Sequence, residues 1–298
     1  MKKDLRKAYI ALAVVSFFWG TTYLAIRISV VDIPALFLVG VRQFISGLIM
    51  VAYFKMMGHQ WPDRKSLINI TIQGILFLCI SNGLMTWALQ YVPSGLAAII
   101  AALMPLFVVL FSVLLLRFAR FTRLMILGLL IGIGGIATIF YEHLASMLDA
   151  KFAFGIGLCL IATMSWSFGT VYASKNKPAT HILFGVGLQM LIAGVIMLLI
   201  CLVSGQYMNL ADSHLSSLLS LIYLIVVGSV LTYSAYLFAV SKLPPTLVSI
   251  YAYINPLVAI ILGWLILHEK MSLNVLIGSL ITVGGVYLVN REFKKQQS

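Results

Sequence analysis

Arg42 lies eight residues past Pro34 in an otherwise apolar run, about 12 Å into a helix beginning there at about 1.5 Å per residue. A guanidinium at that depth costs about 2.5 kcal/mol or more unless it snorkels or is paired. Two uses fit. In the structural one it reaches the headgroups or caps a neighbouring helix end; in the binding one it attracts a carboxylate on a solute. Its counterpart in the second half of the chain is Gln189, since FLVGVRQFISGLIM from Phe37 is answered by FGVGLQMLIAGVIM from Phe184. Asn82 and Tyr233 form a second pair of polar residues at matching places in apolar runs. Tyr91, Tyr141 and Trp61 suit an interfacial belt. Trp19, Tyr23, Trp87, Trp166, Tyr233, Tyr236 and Tyr253 lie deeper, where a belt and the lining of a cavity are both open readings.

Pro105 and Pro256 fall near the middles of two apolar runs. Each removes an N–H and crowds the carbonyl four residues earlier, at Ala101 and Ala252, so a kink with exposed acceptors is expected, facing protein or a watery cavity rather than lipid. Tyr251, Tyr253 and Asn255 crowd the second kink, whereas Ala102 and Met104 flank the first, so the expected site is asymmetric.

The chemistry that is missing is equally informative. The acidic residues Asp4, Asp32, Asp63, Glu142, Asp149, Asp212, Glu269 and Glu292 all fall at helix ends, in loops or in tails, and the histidines do likewise. A buried carboxylate is therefore not expected as the obligatory proton carrier. Cys79, Cys159 and Cys201 sit in apolar runs without CxxC or Cys/His spacing, which argues against disulfide and metal roles. Gly132, Gly134, Gly135, Gly284 and Gly285 follow no strand and precede no Lys-Ser/Thr, so they read as helix-packing residues and not as a nucleotide loop. No nucleophile–base arrangement is visible, and no enzyme activity, cofactor or metal is expected.

The elements that must position these residues are apolar stretches long enough to cross a bilayer. Ten are expected, at residues 8–30, 34–54, 66–90, 94–116, 122–141, 152–174, 180–203, 215–240, 245–267 and 273–290. A composition of 62% hydrophobic and 9% charged residues, with a mean hydropathy of +1.07, fits an all-α polytopic membrane protein. The net charge of +12 does not imply nucleic acid, because the basic residues mark helix ends and form no single patch. With the N-terminus inside, only Arg27, Lys151 and Lys270 fall outside and Arg42 within a helix, so both termini are expected in the cytoplasm. MKKDLRK and the run after it read as an uncleaved first helix.

The chain also repeats itself at a spacing of about 150 residues. WALQYVPSGLAAIIAALMPLFVVLFSVLLL from Trp87 returns as FAVSKLPPTLVSIYAYINPLVAIILGWLIL from Phe238, with Pro93 matching Pro244 and Pro105 matching Pro256. WGTTY from Trp19 returns as FGTVY from Phe168, and GLLIGIGGI from Gly128 as GSLITVGGV from Gly278. Two units are expected, 8–141 and 152–290, each of five helices. Five is odd, so the copies face opposite ways, and such inverted pairs place a substrate cavity at their interface near the midplane.

These segments resemble the EamA-type drug/metabolite transporters, whose two repeats each end in a pattern like PSGLAAIIAALMPLFVVLFSVLLL followed by a polar turn and a glycine-rich helix. The match covers essentially the whole chain: Pro93 to Leu116 with Gly134 and Gly135, then Pro244 to Leu267 with Glu269, Gly284 and Gly285. One departure is Phe118, where the family often carries an acid, as Glu269 does in the second copy; Glu269 is accordingly read as a capping or surface residue. The related small multidrug exporters use a buried first-helix glutamate for proton/drug exchange, and WGTTYLAI offers no such acid. The resemblance implies a monomeric inner-membrane secondary transporter whose partners are the lipid bilayer and a small-molecule substrate. The substrate expected first is an amino acid or similar metabolite, exported by alternating access, with efflux of drugs or other amphipathic compounds as the alternative. The expected substrate-binding set is Trp19, Tyr23, Arg42, Asn82, Trp87, Trp166, Gln189, Tyr233, Tyr236, Tyr253 and Asn255, with Pro105 and Pro256 as kinks.

Overall fold

The computed structural model describes residues 2–116, 122–142, 149–243, 251–269 and 272–297. Phe118, Pro244 and Lys270, singled out above, lie outside the described residues, as does the side chain of Tyr253.

All regular structure in the described residues is helical. In chain order the helices are α1 (Lys2–Ser29), α2 (Ala35–Met56), α3 (Arg64–Ala88), α4 (Ser94–Ala101), α5 (Met104–Leu116), α6 (Arg123–Glu142), α7 (Ala150–Lys175) and α8 (Ile182–Ser204). Then come α9, built from Leu215–Tyr223, Leu224–Leu231 and Thr232–Lys242, α10 (Tyr251–Leu267) and α11 (Leu273–Gln297). The ends follow local chemistry. Asp149 caps α7 by accepting from the Lys151 N–H at 2.8 Å, and Gly205 ends α8 at φ 68°, a left-handed conformation that glycine adopts without strain.

This is an all-α, multi-pass membrane fold. Seven described segments are long and apolar enough to cross a bilayer, and three shorter apolar helices, Arg123–Gly135, Ile254–Leu267 and Leu273–Val289, accompany them. The polarity is that of a bilayer protein. Leu202, Val203, Leu48 and Ile161 are exposed, while Ser16, Ser29, Ser46, Thr163 and Thr282 are buried. Several of these hydroxyls bond a carbonyl one turn back, as Ser16 does to Leu12 and Thr163 to Cys159, so they satisfy themselves within their own helix.

Two features depart from the sequence expectation. The fourth span is not a kinked helix but two helices, because the chain turns at Ala102 and Leu103. Pro105 thereby falls in the first turn of α5, where a missing N–H costs nothing. Pro256 does lie inside a helix, so the proline pair is structurally asymmetric. The second departure is that α3 and α9 each contain an eight-residue π-helical stretch, Ile75–Asn82 and Leu224–Leu231. These stretches occupy matching places in the two halves, and in their register Asn82 corresponds to Leu231 and not to Tyr233.

The halves embrace reciprocally. α2 packs on α8 and α6 on α11, each helix meeting its own counterpart. Likewise α1 packs on α10 and α9 of the other half, while α7 packs on α5 and α3.

Candidate functional site

The centre of this embrace holds a cavity of about 130 Å³. Its wall comes from both halves: α1 gives Trp19, Thr22 and Tyr23, α2 gives Arg42 and Gln43, and α3 gives Ser81, Asn82 and Thr86. The second half contributes Thr163 and Trp166 from α7, Gly228, Ser229 and Tyr233 from α9, and Tyr251 and Asn255 from α10. Both π stretches reach it, through Leu78, Ser81 and Asn82 on one side and Gly228 and Ser229 on the other. A π turn displaces side chains from the ordinary helical register and recurs at functional sites.

Aromatic rings build one side. Trp19 lies 5.8 Å from Trp166 and 5.1 Å from Tyr251 in edge-to-face contacts, and 6.3 Å from Tyr233 between ring centroids. Phe77 supports Trp166 at 4.9 Å. Edge-to-face pairs of this kind are worth about 0.5–1.5 kcal/mol beyond their area, so the rings hold a fixed surface.

The opposite chemistry is polar and incompletely paired. Arg42 is only 4% exposed, and its Nε donates to Ser229 Oγ at 2.8 Å. Gly228 leaves room for the guanidinium, since a Cβ there would come within 3.1 Å of Nη2. Gln43 Oε1, Asn82 Oδ1 and Thr86 Oγ1 are buried with no hydrogen-bond partner. A buried unmade bond costs about 1–3 kcal/mol, so three polar side chains of the cavity wall are left short of a partner. Asn255 differs: with its amide oriented to suit its surroundings, the nitrogen donates to the carbonyls of Ser16 at 2.8 Å and Tyr251 at 3.2 Å, which joins α1 to α10.

Of the residues expected from the sequence, Trp19, Tyr23, Arg42, Asn82, Trp166, Tyr233 and Asn255 meet at this cavity. Gln189 stands behind it, accepting from Tyr233 Oη at 3.2 Å and donating to Gln73 Oε1 at 2.9 Å. Gln73 passes the chain on to the Asn176 carbonyl at 3.0 Å. Tyr236 also backs the wall, stacked on Tyr233 at 6.2 Å and packed against Trp19 at 4.9 Å. Trp87 belongs elsewhere: its Nε1 donates to Tyr91 Oη at 3.3 Å and its ring meets Phe154 at 5.3 Å. Gln43, Thr22, Thr86, Thr163, Ser229 and Tyr251 line the cavity without having been in the expected set.

At one end of the bundle a second, polar recess contains Arg27, Asp32, Gln90, His214, Ser217 and Glu269. Here Asp32 Oδ2 accepts from Ser217 Oγ at 2.6 Å and from the His214 N–H at 3.0 Å, and Oδ1 meets His214 Nδ1 at 2.8 Å. Hydrogen bonds from Ser217 first, then His214, hold the Asp32 carboxyl below the usual carboxylate range. That contact is complete above the usual range and is lost as the pH falls through the lowered value. Glu269 caps α4, accepting from the Ser94 N–H and hydroxyl at 2.9 Å each, and Arg27 donates to the Leu89 carbonyl. Three contacts thus bridge segments at this end.

Among the described residues no group of three or more His, Cys, Asp or Glu side chains could hold a metal. Comparison with known proteins agrees with the architecture. A solved crystal structure of a protein matches with a TM-score of 0.66 at 19% identity, over 98% of this chain and 99% of the other, which shows the fold. The "Uncharacterized inner membrane transporter YedA" of Escherichia coli (strain K12) is 35% identical over 272 residues, covering 91% of this chain and 86% of its own. The "Uncharacterized transporter YvbV" of Bacillus subtilis (strain 168) is 27% identical, covering 99% and 96%, and "Protein PecM" of Dickeya dadantii (strain 3937) is 28% identical, covering 93% and 92%. The model of the EamA-like transporter family matches twice, over residues 6–141 and 153–291. With a cavity walled by both halves and a family match across both, this chain belongs to the EamA-like transporter family: a membrane transporter and not an enzyme.

Proposed function

We propose that the protein exports small amphipathic compounds by alternating access, through the cavity where the halves meet. The observation that carries this reading is the pairing, within one cavity, of an aromatic surface with unsatisfied polar atoms. Such a wall suits a solute with an apolar body and a polar head. Amino acids, the narrower expectation, remain one member of that class; the broader class agrees better with the mixed aromatic and methionine lining. The two halves are inverted five-helix repeats with both termini in the cytoplasm, a reading supported by the distribution of Lys and Arg. Reporter fusions after Lys65, Arg123 and Lys177 should then read cytoplasm, and fusions near Asp32 and Asp212 outside. An external signal after Arg123 would exclude the inverted arrangement.

The functional test uses purified protein in liposomes loaded with labelled aromatic probes of similar size: benzenesulfonate, phenylalanine, benzenesulfonamide and phenyltrimethylammonium. At least one should leave faster than from protein-free liposomes, with no change of mass and no pH gradient imposed. Asn82→Ala and Trp166→Ala should slow that flux while the protein still elutes as a folded species. If no probe moved, or if both variants carried full flux, the cavity would not be the transport site.

A further inference from the structure

Arg42 is the one charged residue among those lining the cavity. It is buried, its Nε is engaged by Ser229, and among the described residues no carboxylate lies within ion-pair distance of it. Its Nη edge is therefore left to the cavity. Guanidinium stays protonated under all physiological conditions, and a buried charge without a partner is costly. The missing partner has a defined shape, because the Nη edge is a planar fork that fits two oxygens of a carboxylate or sulfonate. In the same cavity the rings of Trp19, Trp166 and Tyr233 offer an apolar seat.

We infer that the transported solute is a small organic monoanion with an aromatic or other apolar body, carried as the anion without a proton. This rests on the transport reading above and specifies its substrate. No lining residue is a carboxylic acid or a histidine, and a tyrosine phenol is too weak an acid to protonate a sulfonate or carboxylate, so none supplies a proton to the anion. Each cycle then moves one negative charge: the loaded site crosses neutral, and the empty site returns with the positive charge of Arg42. A membrane potential that is negative inside drives such a solute outward by itself. The expected gradient is about 50-fold for each 100 mV, the equivalent of about 2.3 kcal/mol per elementary charge. Export thus needs no coupling ion.

The test uses the same liposomes and probes, with a potassium gradient and valinomycin setting the potential. Benzenesulfonate, which is ionised at any relevant pH, should leave faster than benzenesulfonamide and phenyltrimethylammonium by about 30-fold or more, the loss expected when a buried charge pair is broken. An interior-negative potential should speed its exit, and an interior-positive one should hold it back. Arg42→Gln should erase the preference for the anion, while Arg42→Lys should keep its sign. A melting curve in detergent would confirm that each variant is folded, and the potential dependence of the unaltered protein requires no variant. Equal flux of the neutral or cationic probe, or anion flux indifferent to potential, would overturn the inference and leave the transport reading standing. Movement of no probe would overturn both.

Discussion

Gly47→Ala and Gly194→Ala are expected to remove the folded protein, not merely to slow it. A Cβ at Gly47 would lie 2.2 Å from the backbone nitrogen of Leu191, and one at Gly194 would lie 2.3 Å from that of Phe44. Backbone on the opposite helix cannot rotate away as a side-chain tip can. Gly40 and Gly187 extend the same α2–α8 contact one stretch further, with Cβ positions 3.0 Å from Leu198 Cδ2 and 2.8 Å from Met50 Cβ. In a bilayer, close backbone approach replaces the hydrophobic drive that holds soluble helices together. Overpacking an ordinary core costs about 1–3 kcal/mol, and a collision with backbone should exceed that range. The sign is informative, because alanine otherwise favours a helix over glycine by about 1 kcal/mol. Gly134→Ala, Gly157→Ala and Gly284→Ala, where a Cβ would meet nothing within 4 Å, should be neutral or slightly stabilising. Size-exclusion profiles and melting curves in detergent separate the two groups. A Gly47→Ala protein that elutes and melts like the unaltered chain would contradict the packing.

The α6–α11 contact obeys the same rule. There a Cβ at Gly135 would fall 2.5 Å from the Thr282 nitrogen, and one at Gly285 would fall 2.4 Å from the Gly132 nitrogen. Of the glycines that the sequence marks as packing residues, Gly132, Gly135 and Gly285 lie in this contact, whereas a Cβ at Gly134 or Gly284 would meet nothing within 4 Å.

Arg42, Asn82 and Tyr233 were legible for a simple reason. Polar groups are expensive in hydrocarbon, so an intramembrane Arg or Asn stands out against an apolar run. Gln43 and Gln73 carry the same signal, and Gln73 completes the bond with Gln189 that supports Tyr233. Thr22, Thr86, Thr163 and Ser229 were not legible, because small hydroxyl residues are common in membrane helices and usually bond their own backbone. Thr163 does bond the Cys159 carbonyl even while lining the cavity. Trp87 and Tyr236 show the limit of depth as a criterion. Depth places a ring within the membrane but does not say which way its helix face turns, and Trp87 turns to Phe154 instead of inward. The π stretches of α3 and α9 were invisible for a related reason. An i→i+5 bond arises where packing inserts an extra residue into a turn, and composition does not record it. The break at Ala102 and Leu103 was half legible, since Pro105 announces an irregularity but not whether the helix bends or restarts.

The proposed alternating access requires the two halves to part at the end where Asp32 of the first meets His214 and Ser217 of the second. Asp32 Oδ2 lies only 2.6 Å from Ser217 Oγ, so a hydrogen bond joins the halves at that end. Under alternating access it must open once in every cycle. In a background with Cys79, Cys159 and Cys201 replaced by serine, Asp32→Cys and Ser217→Cys can be joined by a short thiol-reactive bridge that a reductant cleaves. The measurement is the release of benzenesulfonate and the other probes from liposomes, before bridging, after bridging and after cleavage, with the bridged fraction read by mass. Release should fall in proportion to the bridged fraction and recover on cleavage. Fully bridged protein that carries the probes at the unbridged rate would contradict that requirement.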